Sequence, residues 1–213
     1  QQQSTAARIK SEPASPKLTG RIADIFSPDL RKATVLLWII YISSSLTTFF
    51  LSSWMPVAVE ALGLSRRAAP IAVALLFAGS AIGGIIVGRI VDQRGVIMIS
   101  ILAFAAFPVV AVVGSLSGQV IFLASFLAGC FAFGVQTALH GVAGGIYPTQ
   151  LRGNGVGWAV GNEKIGSIMG PILGGLLLGR VSNQVLFLAA AAPLLIVSFS
   201  SFALARHRVR SDE

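Results

Sequence analysis

Two opposite charges, Glu163 and Lys164, stand side by side inside a long apolar, glycine-rich stretch. Adjacent residues on a helix project about 100° apart, so these two side chains cannot serve one another well. Glu163 shares its face with the small residues Ala159, Gly166 and Gly170, which predicts that it points into a neighbouring helix. Lys164 either extends its stem toward the membrane surface or faces a water-filled path, where a cation would receive an anion.

Three further polar side chains are candidates for hydrogen bonds to a ligand. Gln136 and His140 are four residues apart and therefore share one face of a helix. His140 is either a neutral histidine bonded to a neighbouring helix or a contact for a substrate or a proton. Tyr41 begins the hydroxyl-rich stretch YISSSLTTFFLSSW, whose serines and threonines can bond to their own helix. A phenol is harder to place in lipid, so we expect Tyr41 to face a cavity.

The composition shows which kind of element must position these residues. Of 213 residues, 54% are hydrophobic and 11% are charged, whereas ordinary globular domains carry about 25% charged residues. So little charge cannot cover a soluble domain, and we predict an all-α integral membrane protein in contact with lipid. The net charge of +8 does not indicate nucleic acid, because the basic residues lie at the ends and in short connections. The single cysteine, Cys130, excludes an internal disulfide.

Six apolar runs are long enough to cross a hydrocarbon layer of about 30 Å. They cover residues 33–59, 69–91, 96–114, 119–146, 155–179 and 184–205. The chain is thus predicted to consist of a cytoplasmic linker (1–32), a six-helix transmembrane bundle (33–205) and a cytoplasmic tail (206–213). Twelve of the 16 Lys and Arg residues fall on the side that holds both termini, so the positive-inside rule predicts that both termini are cytoplasmic.

Glycines recur at four-residue spacing in several of these runs. The pairs and the triplet are Gly79 and Gly83, Gly84 and Gly88, Gly141 and Gly145, Gly157 and Gly161, and Gly166, Gly170 and Gly174. Such stripes of small residues let helices approach closely in lipid. They predict a compact bundle with closely packed helix seams.

Two motifs make the sequence similar to a known group of transporters. GRIVDQRG (88–95) resembles the G-x-x-x-D-R-x-G signature of the major facilitator superfamily, with Gly88, Asp92 and Gly95 matched and Arg94 one position late. We expect Asp92 to cap a helix start and pair with an arginine, forming a cytoplasmic latch to which Arg152 of the loop YPTQLRGN also belongs. The stretch GVQTALHGVAGGIYPTQLRGNGVGWAVGNEKIGSIMGPILGG (134–175) resembles the carboxy-terminal half of aromatic acid:proton symporters.

This resemblance implies a proton-coupled secondary transporter of small organic anions such as aromatic carboxylates. Lys164 stands where the family usually has arginine, and it would attract the carboxylate. His140 stands where asparagine is usual and, with Gln136 and Tyr41, would offer hydrogen bonds. Glu163 stands where a small residue is usual, so the resemblance gives this intramembrane acid no role. We expect neither an enzyme nor a cofactor, since the sequence contains no metal-ligand set, nucleophile triad or phosphate-binding loop.

The resemblance also implies that a complete transporter contains a second six-helix half. Such transporters have two six-helix halves around a midplane site, so this sequence corresponds to the second half and needs an amino-terminal half, in the same chain or separate. A bacterial inner membrane is the expected location. Two alternatives stay open: a half-size transporter that pairs with itself or with another half, and a truncated membrane protein that transports nothing.

Overall fold

The computed structural model describes residues 22–28, 30–65, 67–116 and 118–211. Within these ranges the chain forms six long helices and no strand. The helices are α1 (Arg31–Ala61), α2 (Ala68–Arg94), α3 (Ile97–Val112), α4 (Val120–Ile146), α5 (Arg152–Leu177) and α6 (Asn183–Ser211). A short 3₁₀ helix, Ile22–Phe26, precedes α1. Residues 1–21 and 29 of the predicted linker and 212–213 of the predicted tail lie outside the described residues.

The six helices correspond one to one with the six predicted runs, so the all-α six-helix bundle is confirmed. Among the described residues, five of the six are long and apolar enough to cross a membrane; α5 falls short of that criterion. The reason is local: α5 is 26 residues long, but Asn154, Asn162, Glu163 and Lys164, together with many glycines, lower its mean hydropathy. The helix that carries the candidate charges is thus the one of the six without a long, strongly apolar stretch.

Helix α1 lies at the centre of the packing and contacts both α5 and α6 extensively. Helix α2 packs against α4, and α3 packs against α6. The buried apolar side chains form two clusters. One surrounds Phe50, whose ring meets that of Phe187 edge to face at 5.6 Å. The other contains Leu37, Tyr41 and Leu139, and this second cluster supports the polar residues described below.

Two of the predicted glycine seams are closed by a neighbouring backbone. A methyl group at Gly166 would overlap the carbonyl oxygen of Ile42 in α1, and one at Gly83 would overlap the backbone of Cys130 in α4. Close approach of this kind requires glycine, because any side chain would push the helices apart. The seam prediction is therefore confirmed for α1 with α5 and for α2 with α4.

Other predicted seams are open. Gly88, Gly141, Gly157 and Gly161 have no atom of the described residues within 4 Å of the position that a Cβ would take. At these positions the expectation of helix-to-helix contact is wrong within the bundle. Their spacing is the same as in the closed seams, but no helix of the described chain lies against them.

Candidate functional site

Polar side chains from three helices meet in the second cluster. The Nε2 atom of His140 in α4 lies 3.7 Å from Oε2 of Glu163 in α5. The hydroxyl oxygen of Tyr41 in α1 lies 3.5 Å from Nδ1 of the same imidazole, and the two rings meet edge to face at 5.5 Å. The structure thus brings two of the predicted residues, Tyr41 and Glu163, together around a third, His140.

Glu163 and Lys164 are separated by burial, as the 100° helical turn between them predicts. Glu163 is 7% exposed and shares its buried face with Ala159, Gly166 and Gly170. Lys164 is exposed, and within the described part of the chain its side chain forms no salt bridge. The predicted orientation of Glu163 toward a neighbouring helix is confirmed, and the residue that it meets there is His140.

Tyr41 does not face a cavity, and that expectation is wrong. Its side chain is fully buried, and its hydroxyl donates to the carbonyl oxygen of Leu139 at 3.0 Å. The phenol therefore satisfies its donor on a neighbouring helix. Because Leu139 directly precedes His140, this bond ties α1 to α4 beside the imidazole, and Tyr41 positions the histidine.

Gln136 and His140 lie on one side of α4 but differ in exposure. His140 is 45% exposed, whereas Gln136 is 8% exposed. Neither the Oε1 nor the Nε2 atom of Gln136 has a hydrogen-bond partner among the described residues. A buried amide without partners is costly to maintain. The role of Gln136 in binding a ligand stays a prediction.

The exposed face of α5 forms a shallow groove next to Lys164. A cavity of about 350 Å³ is lined by Gly153, Asn154, Gly157, Trp158 and Gly161. On an ideal helix two of these glycines, seven and eleven residues before the lysine, project within about 20° of its direction. The groove therefore runs along the same face of α5 toward the cation.

Sequence reasoning missed the aromatic pair beside this groove. The indole of Trp158, 42% exposed, stacks on that of Trp38 in α1 with ring centroids 6.1 Å apart and planes 28° apart. Trp158 lies within the stretch 134–175 that resembles the symporter family, but no role was assigned to it. Only the pairing with α1 shows that the wall of the groove is held in place by a second aromatic ring.

Tyr147, in the connection between α4 and α5, was also missed. Its hydroxyl donates to Oγ1 of Thr34 at 3.3 Å, and Thr34 in turn donates to the carbonyl oxygen of Ile25 at 2.8 Å. Burial raises the pKa of the Tyr147 phenol above its usual range, although the bond to Thr34 acts in the opposite direction. The phenol thus stays neutral and remains a donor. The signal in the sequence is a tyrosine followed by proline directly after an apolar run.

The predicted cytoplasmic latch is not closed in the described residues. Asp92 and Arg94 lie in the last turn of α2, and Gly95 ends that helix with φ +80°. Asp92 therefore does not cap a helix start, which corrects the expectation: α3 begins after Val96 without a side-chain cap. No salt bridge joins Asp92 to an arginine in the described ranges.

The remaining latch residues lie in exposed or open positions. Arg152 is the first residue of α5 and is exposed. Its Cδ lies 3.9 Å from the position that a Cβ on Gly144 would take, so the arginine lies beside the last turns of α4. Gly88 faces open space. These residues lie at the helix ends where a cytoplasmic connection was predicted, and their role as a latch stays a prediction.

Long apolar helices that enclose a buried carboxylate and expose a cation define a polytopic integral membrane protein. Ionisable groups at such positions are typical of proteins that move charged substrates. The family model described as "Major Facilitator Superfamily" matches residues 17–213. The chain therefore belongs to the major facilitator superfamily.

Several curated proteins are similar to this chain. It is 32% identical over 191 residues to the 3-(3-hydroxy-phenyl)propionate transporter of Escherichia coli (strain K12), a match that covers 87% of this chain and 47% of that protein. It is 31% identical to the gallate transporter of Pseudomonas putida, with 88% of this chain and 42% of that protein covered. A 4-hydroxybenzoate transporter of Pseudomonas aeruginosa is 34% identical, with 74% and 36% covered. The chain spans about half the length of the curated relatives that it matches.

Proposed function

We propose that this chain forms the carboxy-terminal half of a secondary transporter that takes up small organic anions together with protons. Membership of the major facilitator superfamily supports the transport function. Aromatic carboxylates are the proposed substrates, because three similar proteins are named as transporters of hydroxyphenylpropionate, gallate and 4-hydroxybenzoate. Each of these compounds combines an aromatic ring with one carboxylate.

The observation that carries the proposal is the placement of Lys164. Its side chain is exposed on the face of α5 that also carries the open glycines Gly157 and Gly161. A carboxylate bound at this cation would have its ring lying along the glycine groove toward the exposed indole of Trp158. Aromatic rings pair favourably when their centroids lie about 4.5–7 Å apart. His140, also exposed, would offer a hydrogen bond from α4.

The open glycine face is also where we place the proposed partner. Major facilitator halves rock against one another around a site near the membrane midplane. The amino-terminal half, on the same polypeptide or a separate one, would cover the groove and complete the site. The location that this proposal implies is a bacterial inner membrane with both termini in the cytoplasm, as the excess of Lys and Arg on that side predicts.

An uptake assay in cells that express the native polypeptide tests this function. The radiolabelled substrates are 4-hydroxybenzoate, gallate and 3-(3-hydroxyphenyl)propionate. Lys164→Gln removes the cation at nearly constant volume, so we expect uptake of the preferred acid to fall at least about tenfold, the equivalent of 1.4 kcal/mol. Lys164→Arg keeps the charge and is expected to retain part of the activity. Lys32→Gln removes a different exposed lysine at the start of α1 and serves as the matched control.

The same assay can contradict the proposal. Each variant is first shown by immunoblot to reach the membrane in the amount of the unmodified protein. Equal uptake by Lys164→Gln would remove the lysine from the site. No uptake of any of the three acids by the unmodified protein would argue against aromatic carboxylates as substrates.

A further inference from the structure

We propose that His140 and Glu163 jointly bind one proton inside the bundle, at a site between Nε2 of the imidazole and Oε2 of the carboxylate. The binding of this proton follows from geometry alone. Its effect on anion uptake, argued below, rests on the proposed transport function. Lys164 is not part of this proton site, because its side chain is exposed whereas Glu163 is buried.

The contacts of Tyr41 fix which nitrogen of His140 carries hydrogen in the neutral ring. The hydroxyl hydrogen of Tyr41 is engaged by the carbonyl oxygen of Leu139 at 3.0 Å. What the phenol offers to Nδ1 of His140, 3.5 Å away, is therefore a lone pair. The partner of one ring nitrogen sets the protonation of the other. Nδ1 is accordingly the protonated nitrogen, and Nε2 carries a lone pair.

The other ring nitrogen of His140, Nε2, faces the carboxylate of Glu163. With Nδ1 protonated, the neutral imidazole directs its Nε2 lone pair at Oε2 of Glu163, 3.7 Å away. That oxygen is buried and has no hydrogen-bond partner among the described residues. Two acceptors facing one another in a buried site repel. One added proton between them creates a charge-assisted hydrogen bond, for which the usual separation is about 2.7–2.9 Å.

The burial of Glu163 favours binding of this proton, and the exposure of His140 lets the proton reach the site. Glu163 is 7% exposed, so its ionised form is largely deprived of water and needs a partner charge or hydrogen bond. His140 is 45% exposed and borders the open face of the bundle. A proton can therefore arrive at the imidazole from that face and be shared with the carboxylate behind it.

The surrounding groups that could compete are few in the described residues. Helix α1 contributes Tyr41, and the connection after α4 contributes Tyr147. Helix α5 itself contributes Lys164 and, at its start, Arg152, whose Cδ lies 3.9 Å from the position that a Cβ on Gly144 would take, one turn beyond His140 in α4. Helix α3 carries no charged residue in its described span. Helix α2 runs alongside α4, with Gly79 against Phe126 and Gly83 against Cys130.

Because residue numbers rise together along these contacts, α2 and α4 run parallel. The charged carboxy-terminal end of α2 therefore lies near the level of His140. The charges concerned are Arg89, Asp92 and Arg94, and within the described ranges none of them forms a salt bridge with the pair. Helix α6 carries Arg206 and His207 near its carboxy-terminal end; the Arg206 guanidinium lies over the ring of Phe202, 4.3 Å from its centroid. Within the described residues Glu163 therefore has His140 as its ion-pair partner, and Lys164 is the charge next to it in the sequence.

Proton binding at this pair changes the charge that an incoming anion meets. Without the proton, the negative charge of Glu163 cancels the positive charge of Lys164, so that these two groups and the neutral His140 carry no net charge. With the proton, they carry one net positive charge. An anion is therefore bound more tightly when the proton is present, and by linkage the anion in turn strengthens proton binding.

The direct test is a pH titration of the native polypeptide in liposomes, followed by infrared difference spectroscopy of the carboxyl and imidazole bands. We expect one titration step that involves both kinds of band. Glu163→Gln and His140→Asn should each abolish it, because both replacements keep a hydrogen-bonding side chain but cannot share the proton. Glu60→Gln, which changes an exposed glutamate at the end of α1, is the matched control and should leave the step intact.

Two outcomes would overturn the proposal. In one, neither variant alters the step; in the other, the step disappears in Glu163→Gln but persists in His140→Asn, which would mean that the carboxyl group titrates by itself. Should Glu163→Gln fail to fold, as judged by size-exclusion profile, His140→Asn decides the question, because His140 is exposed and tolerates replacement better.

A second measurement separates this proposal from the proposed function. Binding of radiolabelled 4-hydroxybenzoate to the same liposomes should tighten about tenfold as the pH falls through the titration step, within the usual range of coupling between sites. Both variants should lose this pH dependence. If the acid binds at no pH while the infrared step behaves as expected, the substrate assignment fails and the proton site stands.

Discussion

The two ends of α5 use glycine in opposite ways. At the closed end, Gly166, Gly170 and Gly174 lie against α1 so closely that a side chain would overlap its backbone or the indole of Trp54. Before Glu163, Gly157 and Gly161 face open space and form a groove. The spacing in the sequence is the same at both ends. Glycine spacing alone therefore does not distinguish a helix seam from a binding face; the neighbouring helix decides.

Glu163 and Lys164 lie between the open glycines, which end at Gly161, and the glycines packed against α1, which begin at Gly166. The buried face of the closed end continues through Glu163, which is why this carboxylate is held against α4 and α1. The exposed face of the open end continues through Lys164. One helical step thus places a buried acid that can share a proton next to an accessible cation that can receive an anion.

Substitution in the closed seam is expected to have the largest effect. Gly166→Leu would drive a side chain into the carbonyl oxygen of Ile42 and the amide nitrogen of Leu46, and backbone atoms cannot move aside cheaply. Overpacking of this kind costs about 1–3 kcal/mol and sometimes more. We expect the folded protein to be nearly absent from size-exclusion profiles of solubilised membranes. Normal recovery of this variant would show that α1 and α5 do not approach as closely as the structure shows.

The matched substitution at the open end sharpens the contrast. Gly157→Leu introduces the same side chain where no atom of the described residues lies within 4 Å. We expect membrane abundance close to that of the unmodified protein, because no contact in the bundle is disturbed. Uptake of the aromatic acids is expected to fall at least about tenfold, since the groove beside Lys164 would be filled. Loss of folding together with uptake would mean that this face is packed inside the bundle.

Helix positions and the orientation of adjacent residues could be predicted from the sequence because both depend on local properties. The first predicted run, 33–59, becomes Arg31–Ala61, and the opposite exposures of Glu163 and Lys164 follow from helical geometry. The prediction failed for Asp92 because polar residues were taken to end α2. They instead occupy its exposed last turn, and the positive φ of Gly95 ends the helix.

Contacts between helices could not be predicted in the same way. Glu163 was expected to meet a neighbouring helix, but the choice of His140 depends on how α4 and α5 are rotated about their own axes. A π-helical segment, Gly129–Phe133, interrupts α4 before His140 and alters that rotation. Tyr41 was assigned to a cavity because a phenol is hard to place in lipid. The acceptor, the carbonyl oxygen of Leu139, is 98 positions away in the sequence.

The smallest expected effect compares two tryptophans of α1, one at each end of α5. Trp54 donates its Nε1 hydrogen to the carbonyl oxygen of Pro171 at 3.2 Å, at the closed end. Trp38 stacks on Trp158 at the open end, and its buried Nε1 has no hydrogen-bond partner in the described part of the chain. Replacement by phenylalanine removes a hydrogen bond only at Trp54, and a net contribution of about 0.5–1.5 kcal/mol is usual for such a bond.

Thermal unfolding in detergent should therefore show a lower midpoint for Trp54→Phe than for Trp38→Phe. Uptake should be lower for Trp38→Phe than for Trp54→Phe, because only Trp38 stacks on Trp158 at the wall of the groove. Equal midpoints for the two variants would indicate that the bond to Pro171 adds nothing to the closed end. In that case the glycine contacts alone hold α5 against α1, and the difference between the two ends of the helix reduces to backbone packing.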